Sequence, residues 1–268
     1  METLIDSDGT GLVKSFNVQR RVIWALFLRE ILTRFGRHNI GFLWLFVEPM
    51  IFTLGVTALW IATKSVHGSN IPIVAFALTG YSSVLLWRNM PGRCISAIEA
   101  NLSLMYHRNV KVIDIFLARL LLEGGGASIS FVTLAIFFNL SGYLDYPEDI
   151  FQVIGGWLML AWFGCSLAIL LGALAQLSEV VDKLWHPASY LLFPLSGAAF
   201  LADALPEQAR SLILYLPMVH GVEYLREGYF GRYFEAHYSI SYMALCCLFL
   251  TFGALLLNLY IAKKITPE

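Results

Sequence analysis

Apolar residues occur in six long runs, and shorter polar or charged segments separate them. The runs cover residues 41–63, 71–90, 113–140, 150–177, 184–202 and 239–262. A helix needs ~20 mostly apolar residues to cross the hydrocarbon core of a bilayer. Each run is therefore predicted to be a transmembrane helix, which makes the chain an all-α membrane protein with a single transmembrane domain over residues 1–268.

Composition and charge support this class and give the orientation. Of 268 residues, 58% are hydrophobic and 14% are charged, whereas soluble domains carry roughly 25% charged residues. Of the 18 Lys and Arg residues, 14 flank the runs on one side of the predicted membrane. Because cytoplasmic flanks are enriched in Lys and Arg, that side is predicted to be cytoplasmic, and six transmembrane helices then place both termini inside.

Residues 18–38, before the first run, are predicted to form an amphipathic helix on the cytoplasmic membrane surface. Trp24, Leu28, Ile31 and Phe35 follow helical spacing and share one face. Basic side chains away from the centre of that face are available to lipid phosphates. They are Arg29, Arg34 and Arg37. A plain interfacial anchor is the alternative interpretation.

Two further segments lie between the runs. In the cytoplasmic loop, Ile95, Ile98, Leu102 and Met105 repeat at helical spacing, which predicts a short amphipathic helix able to contact a cytosolic partner, or else a packed loop. The outward segment 203–238 holds an apolar stretch too short to cross the membrane, between two prolines. It is predicted to form short re-entrant helices, which need protein or a water-filled cavity around them.

Recognisable catalytic chemistry is missing from the sequence. It holds no phosphate-binding loop of the form GxxxxGK followed by Ser or Thr, no HExxH and no GxSxG, so no catalytic residue, bound nucleotide or cofactor is expected. His220, Glu223 and Glu227 could share a helical face as metal ligands, but a solvated ion-pair surface is the commoner arrangement, and no metal is predicted.

Two acidic residues lie away from the ends of the predicted spans. Glu48 precedes Pro49, and it faces a polar pathway, satisfies backbone groups that the proline frees, or pairs with a neighbouring basic residue. Glu123 lies four residues after Arg119 on one helix face, where the two can pair.

Several motifs resemble the membrane permease of type-2 ABC exporters, in particular the capsular-polysaccharide export branch, with O-antigen exporter permeases as close relatives. They comprise LREILTRFG at 28–36, GFLW at 41–44 followed by Glu48-Pro49, the loop 101–119, and LPMVHGVEYLREGYF at 216–230. The resemblance covers nearly the whole chain.

The resemblance implies a bacterial inner-membrane homodimer bound to two copies of a cytosolic ABC ATPase, which holds the ATP and Mg²⁺. It also implies a lipid-linked polysaccharide that moves through a channel at the dimer interface, a periplasmic co-polymerase and an outer-membrane export protein as further partners, and no nucleic acid.

Candidate site residues follow from the resemblance and from the predicted topology, in three groups. The substrate pathway is assigned to Trp44, Phe46, Glu48, Tyr190 and Phe193. Contact with the ATPase is assigned to Ile98, Glu99, Leu102, Met105, His107 and Arg108. The periplasmic exit is assigned to His220, Glu223, Tyr224, Arg226 and Tyr229.

Two rival functions remain open on the sequence alone. A permease of the same fold could export O-antigen, a drug or another small molecule or lipid. An intramembrane enzyme acting on lipids or glycans would need an acid–base pair or nucleophile at membrane depth, for which Glu48 is the main candidate.

Overall fold

The computed structural model describes residues 8–35, 40–63, 71–107 and 110–265, and these residues form ten α-helices. The all-α prediction is confirmed. The helices are α1 (Asp8–Phe35), α2 (Ile40–Thr63), α3 (Ile73–Ile95), α4 (Leu102–His107), α5 (Val112–Leu140), α6 (Ile150–Ala175), α7 (Val180–Leu195), α8 (Glu207–Ile213), α9 (Pro217–Phe230) and α10 (Ile240–Ile265).

Among the described residues, three helices are long and apolar enough to cross a membrane, namely α5, α6 and α10. Helix α2 contains a shorter apolar stretch, Val47–Ala62. Helix α3 is 23 residues long but carries Arg88 and Arg93 in its last turns. Three of the six predicted runs thus have the length and apolar composition of a membrane-crossing helix in the structure, and the number of six stays a prediction.

The fifth predicted run ends earlier than the sequence suggests. Helix α7 has only 16 residues and stops at Leu195 instead of reaching residue 202. Just beyond it, Gly197 adopts a φ of 83°, in the left-handed region that breaks a right-handed helix. The apolar residues that follow belong to a turn, and the run overestimates the helix because hydropathy does not register this backbone reversal.

The predicted cytoplasmic helix around residues 95–105 is also different in the structure. Helix α3 continues through Pro91 to Ile95, a turn follows, and a short 3₁₀ turn at Glu99–Asn101 leads into α4. The segment is therefore broken into short pieces. The spacing of its apolar residues reflects burial against the rest of the chain, where Ile98 is fully buried.

Helix α6 lies at the centre of the packing, against α3, α9 and α10. Three glycines in α6, spaced eight residues apart, allow other helices to approach its backbone. They are Gly156, Gly164 and Gly172. A Cβ atom at Gly156 would lie 2.9 Å from the Cα of Leu225 in α9, and one at Gly164 would lie 2.8 Å from the Cα of Trp87 in α3. A Cβ atom at Gly172 would lie 2.9 Å from Cε1 of the Phe116 ring in α5. Such close approach of backbones is typical of helix packing in membranes.

Helix α1 starts earlier than predicted and packs on α5 through one side only. Leu26 on that side is buried, whereas Trp24 and Leu28 of the predicted apolar stripe are 59% and 44% exposed and Ile31 is half-buried. For Phe35, the fourth residue of the stripe, only the backbone is described. Trp24 and Leu28 thus leave much of their surface uncovered, as they would in a helix whose apolar side enters the membrane surface.

We expect Gly156→Ala to lower the thermal stability of the purified protein by about 1–3 kcal/mol, because the added methyl group would collide with the α9 backbone. Gly125→Ala is the matched control, since a Cβ atom at that position meets nothing within 4 Å. Thermal unfolding in mild detergent measures both variants, and equal melting temperatures would contradict the proposed contact.

Candidate functional site

An aromatic cluster joins α2, α3 and α7. It consists of Phe52, Trp60, Phe76, Tyr81 and Phe193. The Tyr81 ring centroid lies 5.3 Å from that of Trp60, 5.5 Å from Phe193 and 5.9 Å from Phe52, and Trp60 stacks on Phe76 at 5.6 Å. Such distances are typical of favourable aromatic pairs.

Arg88 adds a cation at the edge of this cluster, two helical turns after Tyr81 in α3. Its guanidinium carbon lies 4.8 Å from the centre of the Tyr190 ring and 5.6 Å from that of Phe193. Arg88 and Tyr81 are seven residues apart and so share one face of α3. The arrangement places a cation against the ring faces of α7.

The predicted pathway residues occupy different places around the aromatic cluster. Phe193 belongs to it, and Tyr190 lies at its edge with 70% of its surface exposed. On α2, Trp44 and Glu48 are exposed. For Phe46, only the backbone position in α2 is described.

Sequence reasoning missed five residues of this region: Phe52, Trp60, Phe76, Tyr81 and Arg88. The seven-residue spacing of Tyr81 and Arg88 was the available signal. Arg88 is also one of the 14 Lys and Arg residues that flank the apolar runs on the predicted cytoplasmic side, and the count of flanking charges does not show a contact with α7.

Arg226 in α9 is fully buried and binds the turn that follows α7. Its guanidinium donates hydrogen bonds to the carbonyl oxygens of Gly197 at 2.6 Å, Ala198 at 2.8 Å and Phe200 at 2.8 Å. It also lies 4.0 Å from the centre of the Phe76 ring. Burial lowers the pKa of Arg226 to about 10, a value that still leaves the guanidinium charged at neutral pH.

Glu223, one turn earlier in α9, holds two other segments. Its carboxylate accepts hydrogen bonds from the backbone N–H groups of Ala202 at 3.2 Å and His237 at 3.3 Å. Burial raises the pKa of Glu223, and the nearby Arg226 charge opposes that rise. The two charges together connect α9 to the chain on both sides of it.

The residues predicted to form an exposed periplasmic exit surface are mostly buried in the structure. His220, Glu223, Arg226 and Tyr229 are all buried, and Tyr224 is half-buried. They do not present an exposed polar face, because each is bonded to or packed against the chain. A role for these residues in polysaccharide exit stays a prediction. Because they are buried, such a role would consist of positioning the surrounding loops.

His220, Glu223 and Glu227, the three residues considered as metal ligands, each form hydrogen bonds with different groups of the chain. His220 accepts a hydrogen bond from the Ser239 N–H at Nδ1 and donates one to the Leu214 carbonyl at Nε2. Burial lowers the pKa of His220, which favours the neutral ring. Glu227 accepts hydrogen bonds from the side chains of Gln152 and Tyr238. The three side chains therefore act as structural hydrogen-bonding groups.

A second group of possible metal ligands lies nearby, outside the helical triplet. Ligand atoms of Asp203, Glu235 and His237 all lie within 4.8 Å of one another. The Arg210 guanidinium lies 3.8 Å from the Asp203 carboxylate and balances its charge. We therefore assign no metal function to this group.

The predicted ATPase-contact residues divide into inward and outward positions. Ile98 and Met105 are buried within the chain, whereas Glu99 and Leu102 are exposed. His107 is described only by its backbone, and Arg108 lies outside the described residues. Only the exposed pair is available to a partner in this structure.

Polar contacts join the interface helix to the segments around it. Arg29 donates a hydrogen bond to the Asn101 side chain, and Glu30 pairs with Arg119 at 3.1 Å. Arg29 is thus engaged within the protein, in contrast to its predicted availability to lipid phosphates. For Arg34 only the backbone is described, and Arg37 lies outside the described residues.

The intramembrane acid of α5 has a partner on another helix. The Glu123 carboxylate lies 3.4 Å from Arg93 in α3, whereas the neighbour predicted for it, Arg119, pairs with Glu30 of α1. The charges of α5 thus link three helices.

We expect Arg226→Lys to lower stability by more than about 2 kcal/mol, because one ammonium cannot replace a planar fork that reaches three carbonyl oxygens. For the same reason, the double variant Glu223→Arg with Arg226→Glu should not regain the stability of the wild type, although it keeps both charges. Arg93→Lys is the control, since Arg93 is 45% exposed and makes a simple ion pair. A melting temperature for Arg226→Lys equal to that of the control would contradict the assignment.

Comparison with known proteins identifies the family of this chain. The family model described as ABC-2 type transporter matches residues 21–230. The chain is 42% identical to the capsule polysaccharide export inner-membrane protein BexB of Haemophilus influenzae, over 97% of this chain and 98% of that protein. It is 41% identical to the capsule polysaccharide export inner-membrane protein CtrC of Neisseria meningitidis over the same shares. The polysialic acid transport protein KpsM of Escherichia coli is 29% identical over 90% of this chain and 94% of that protein. The chain belongs to the membrane-subunit family of ABC-2 type transporters.

Proposed function

We propose that this chain is the membrane-spanning subunit of an ATP-driven exporter that carries lipid-linked capsular polysaccharide across the bacterial inner membrane. The observation that carries the proposal is near-full-length similarity, at about 40% identity, to inner-membrane proteins of capsule polysaccharide export. The chain acts as a transport subunit and not as an enzyme.

The proposed topology has six transmembrane helices with both termini in the cytoplasm. Helices α2, α3, α5, α6, α7 and α10 occupy the positions of the six apolar runs. The count of 14 cytoplasmic Lys and Arg residues among 18 supports this orientation. Helices α8 and α9 then lie on the periplasmic side as short re-entrant elements.

ATP and Mg²⁺ are proposed to bind a separate cytosolic ABC ATPase, present in two copies beside a homodimer of this chain. The sequence has no phosphate-binding loop of its own. Exposed Trp44, Glu48 and Tyr190 on α2 and α7 are the surfaces offered to a second copy and to the glycan. A periplasmic co-polymerase and an outer-membrane export protein complete the proposed assembly.

The direct test is restoration of capsule export. In an encapsulated bacterium lacking its own permease and ATPase genes, this chain and its cognate ATPase should restore surface polysaccharide. Cells given the ATPase alone should be bare and should hold polysaccharide inside. Cells that stay bare with both genes present, while another glycan or lipid is exported, would contradict the proposed substrate.

We expect Tyr190→Ala to reduce export several-fold at unchanged protein level and basal ATP hydrolysis, because the ring face that meets Arg88 is removed. Tyr190→Phe should retain most export, since it keeps the cation–ring contact, which contributes about 0.5–1 kcal/mol where the side chains are exposed. Surface capsule per cell is the measurement. Tyr146→Ala, at an 82% exposed loop position, is the control. If Tyr190→Ala exports like that control, the pathway does not run past the α7 aromatic residues.

We expect cysteines placed at Glu99 or Leu102 to crosslink to cysteines on the ATPase, because both side chains are exposed in the cytoplasmic loop. Ile98→Cys is the matched control and should not crosslink, since that position is fully buried. Crosslinking in membranes that contain both proteins, read on gels, is the measurement. Crosslinks only from residues near Asp182 would place the main contact on the other cytoplasmic loop.

A further inference from the structure

A groove of about 590 Å³ lies between α1 and the first half of α5. Its apolar wall is formed by Phe16, Ile23 and Trp24 of α1 and by Leu117 and Leu121 of α5. Phe16, Trp24 and Leu121 are 66%, 59% and 56% exposed, so the described chain leaves much of this wall uncovered. No residue of the groove belongs to the aromatic cluster or to the candidate substrate pathway.

Two arginines, Arg20 and Arg21, complete the groove, and among the described residues no acidic side chain lines it. Arg20 lies four residues after Phe16 and four before Trp24, so a cation stands within an otherwise apolar stripe of α1. Both arginines are exposed, and neither has an ion pair or a side-chain hydrogen bond within residues 8–35, 40–63, 71–107 and 110–265. The groove therefore presents two cations that no described carboxylate pairs.

The acidic side chains of the surrounding segments are used inside the protein. Gln19, the remaining polar residue of the groove, donates a hydrogen bond to the Asp114 carboxylate at 2.8 Å. Asp114 is only 2% exposed and also accepts a hydrogen bond from the Lys111 backbone N–H. Glu30, further along α1, pairs with Arg119. The charge at the groove is therefore positive, and an anion is the group that would complete it.

An exposed apolar stripe continues the groove along α5, one of the three helices able to cross a membrane. Because Gln19 bonds to Asp114 in the first turn of α5, the neighbouring arginines lie near the beginning of that helix and the stripe runs away from them. From residue 121 to residue 132 it extends about 16 Å, which is half of the ~30 Å hydrocarbon core and so the depth of one leaflet. Its members, on one helical face and 49–56% exposed, are Leu121, Ile129, Val132 and Ile136.

We propose that the groove between α1 and α5 binds one anionic phospholipid of the cytoplasmic leaflet. The headgroup phosphate lies against Arg20 and Arg21, whose guanidinium groups can each bind two phosphate oxygens. One acyl chain passes Trp24 and Leu117 and follows the α5 stripe. A soluble anion would leave the apolar wall and the stripe uncovered, and a lipid without net charge would leave the two cations unbalanced. The assignment of leaflet rests on the proposed topology, whereas the site does not depend on which glycan is exported.

The bound lipid would add a further contact between α1 and α5. Polar contacts already join these helices at two places, Gln19 with Asp114 and Glu30 with Arg119. Arg20, Arg21 and Trp24 lie between these two places in the sequence of α1. An anionic lipid at these residues would therefore stabilise the position of α1 on α5 and link it to the lipid composition of the membrane.

The test uses the full chain in complex with its ATPase, purified in mild detergent from cells that make no capsular polysaccharide. Phosphatidylglycerol is the probe, phosphatidylcholine is the comparison without net charge, and titration followed by native mass spectrometry gives the affinity. We expect phosphatidylglycerol to bind and to raise the melting temperature, and phosphatidylcholine to do neither. Arg20→Gln and Arg21→Gln should each weaken phosphatidylglycerol binding roughly fivefold, the loss expected for one basic residue at a membrane surface. The double variant should weaken it roughly twenty-five-fold.

Two variants of α1 serve as controls. Lys14→Gln removes an exposed cation of the same helix that does not line the groove, and it should leave binding within twofold of the wild type. Arg20→Lys keeps the charge and should weaken binding less than Arg20→Gln. Without lipid, all variants should melt like the wild type, because neither arginine has a polar partner in the described chain. Lipid binding is measured without export, which separates this test from that of the transported substrate.

Equal weakening by Lys14→Gln and Arg20→Gln would overturn the proposal, because it would show a diffuse effect of surface charge. Equal binding of both phospholipids, or displacement of phosphatidylglycerol by inorganic phosphate, would do the same.

A photoreactive acyl chain on phosphatidylglycerol locates the occupant directly, and we expect it to label Leu121 and Val132. Labelling spread evenly over the exposed residues of α6 and α10 would contradict the site. Two other occupants would also overturn it. They are the lipid anchor of the glycan, if lipid is retained only from cells that make the polysaccharide, and the ATPase, if a cysteine placed at Arg20 crosslinks to it.

Discussion

The hydrogen bonds of the buried Arg226 guanidinium are the interaction on which the turn after α7 and its packing against α9 depend. The turn after α7 leaves backbone carbonyl oxygens without helical partners, and burial of unpaired carbonyls is costly. Arg226 binds three of them, at Gly197, Ala198 and Phe200. Because a guanidinium offers five N–H donors in one plane, a single side chain can satisfy a turn that no regular element would. Glu223 then binds the backbone on the other side of α9.

The same interaction reaches the aromatic cluster. Phe76 contacts Arg226 on one side and Trp60 on the other, so the turn after α7 and helices α2 and α3 share one packed unit. Phe193 lies three residues before the start of that turn and contacts Tyr81. The position of the α7 aromatic residues is therefore set partly by hydrogen bonds made by α9, although α9 contributes no residue to the aromatic cluster.

Hydropathy predicted the location of the helices well, since each apolar run contains one. The ends were predicted poorly where a distant residue decides them. Helix α7 stops at Leu195 because Gly197 reverses the backbone and Arg226 binds the carbonyls beyond it, and the Arg226 contact is not visible in residues 184–202 themselves. Periodicity at residues 95–105 identified buried positions correctly but could not distinguish a continuous helix from a turn and two short helical pieces.

Charged residues were the least predictable part of the site. Sequence spacing placed His220, Glu223 and Arg226 on one helical face and suggested an exposed surface, whereas the structure buries all three. The cause is the environment of α9, which packs between α6, α10 and α3 instead of lying on the surface. Conversely, Arg88 was assigned to a flank, and its contact with Tyr190 depends on the approach of α7, which a single-helix pattern cannot show.

The cytoplasmic contacts suggest how force from an ATPase would pass into the membrane helices under the proposed function. Glu99 and Leu102 face outward, while Asn101 between them is buried and bonded to Arg29 of α1. The next residue of α1, Glu30, pairs with Arg119 of α5, and Arg119 also donates a hydrogen bond to the carbonyl oxygen of Arg93 in α3. A displacement applied at residues 99–102 would therefore move α1, α3 and α5 together, because each is joined to the next by a charge-assisted contact. Helix α3 carries Arg88 and Tyr81, so a push at the cytoplasmic loop would change the position of the cation and rings that face α7.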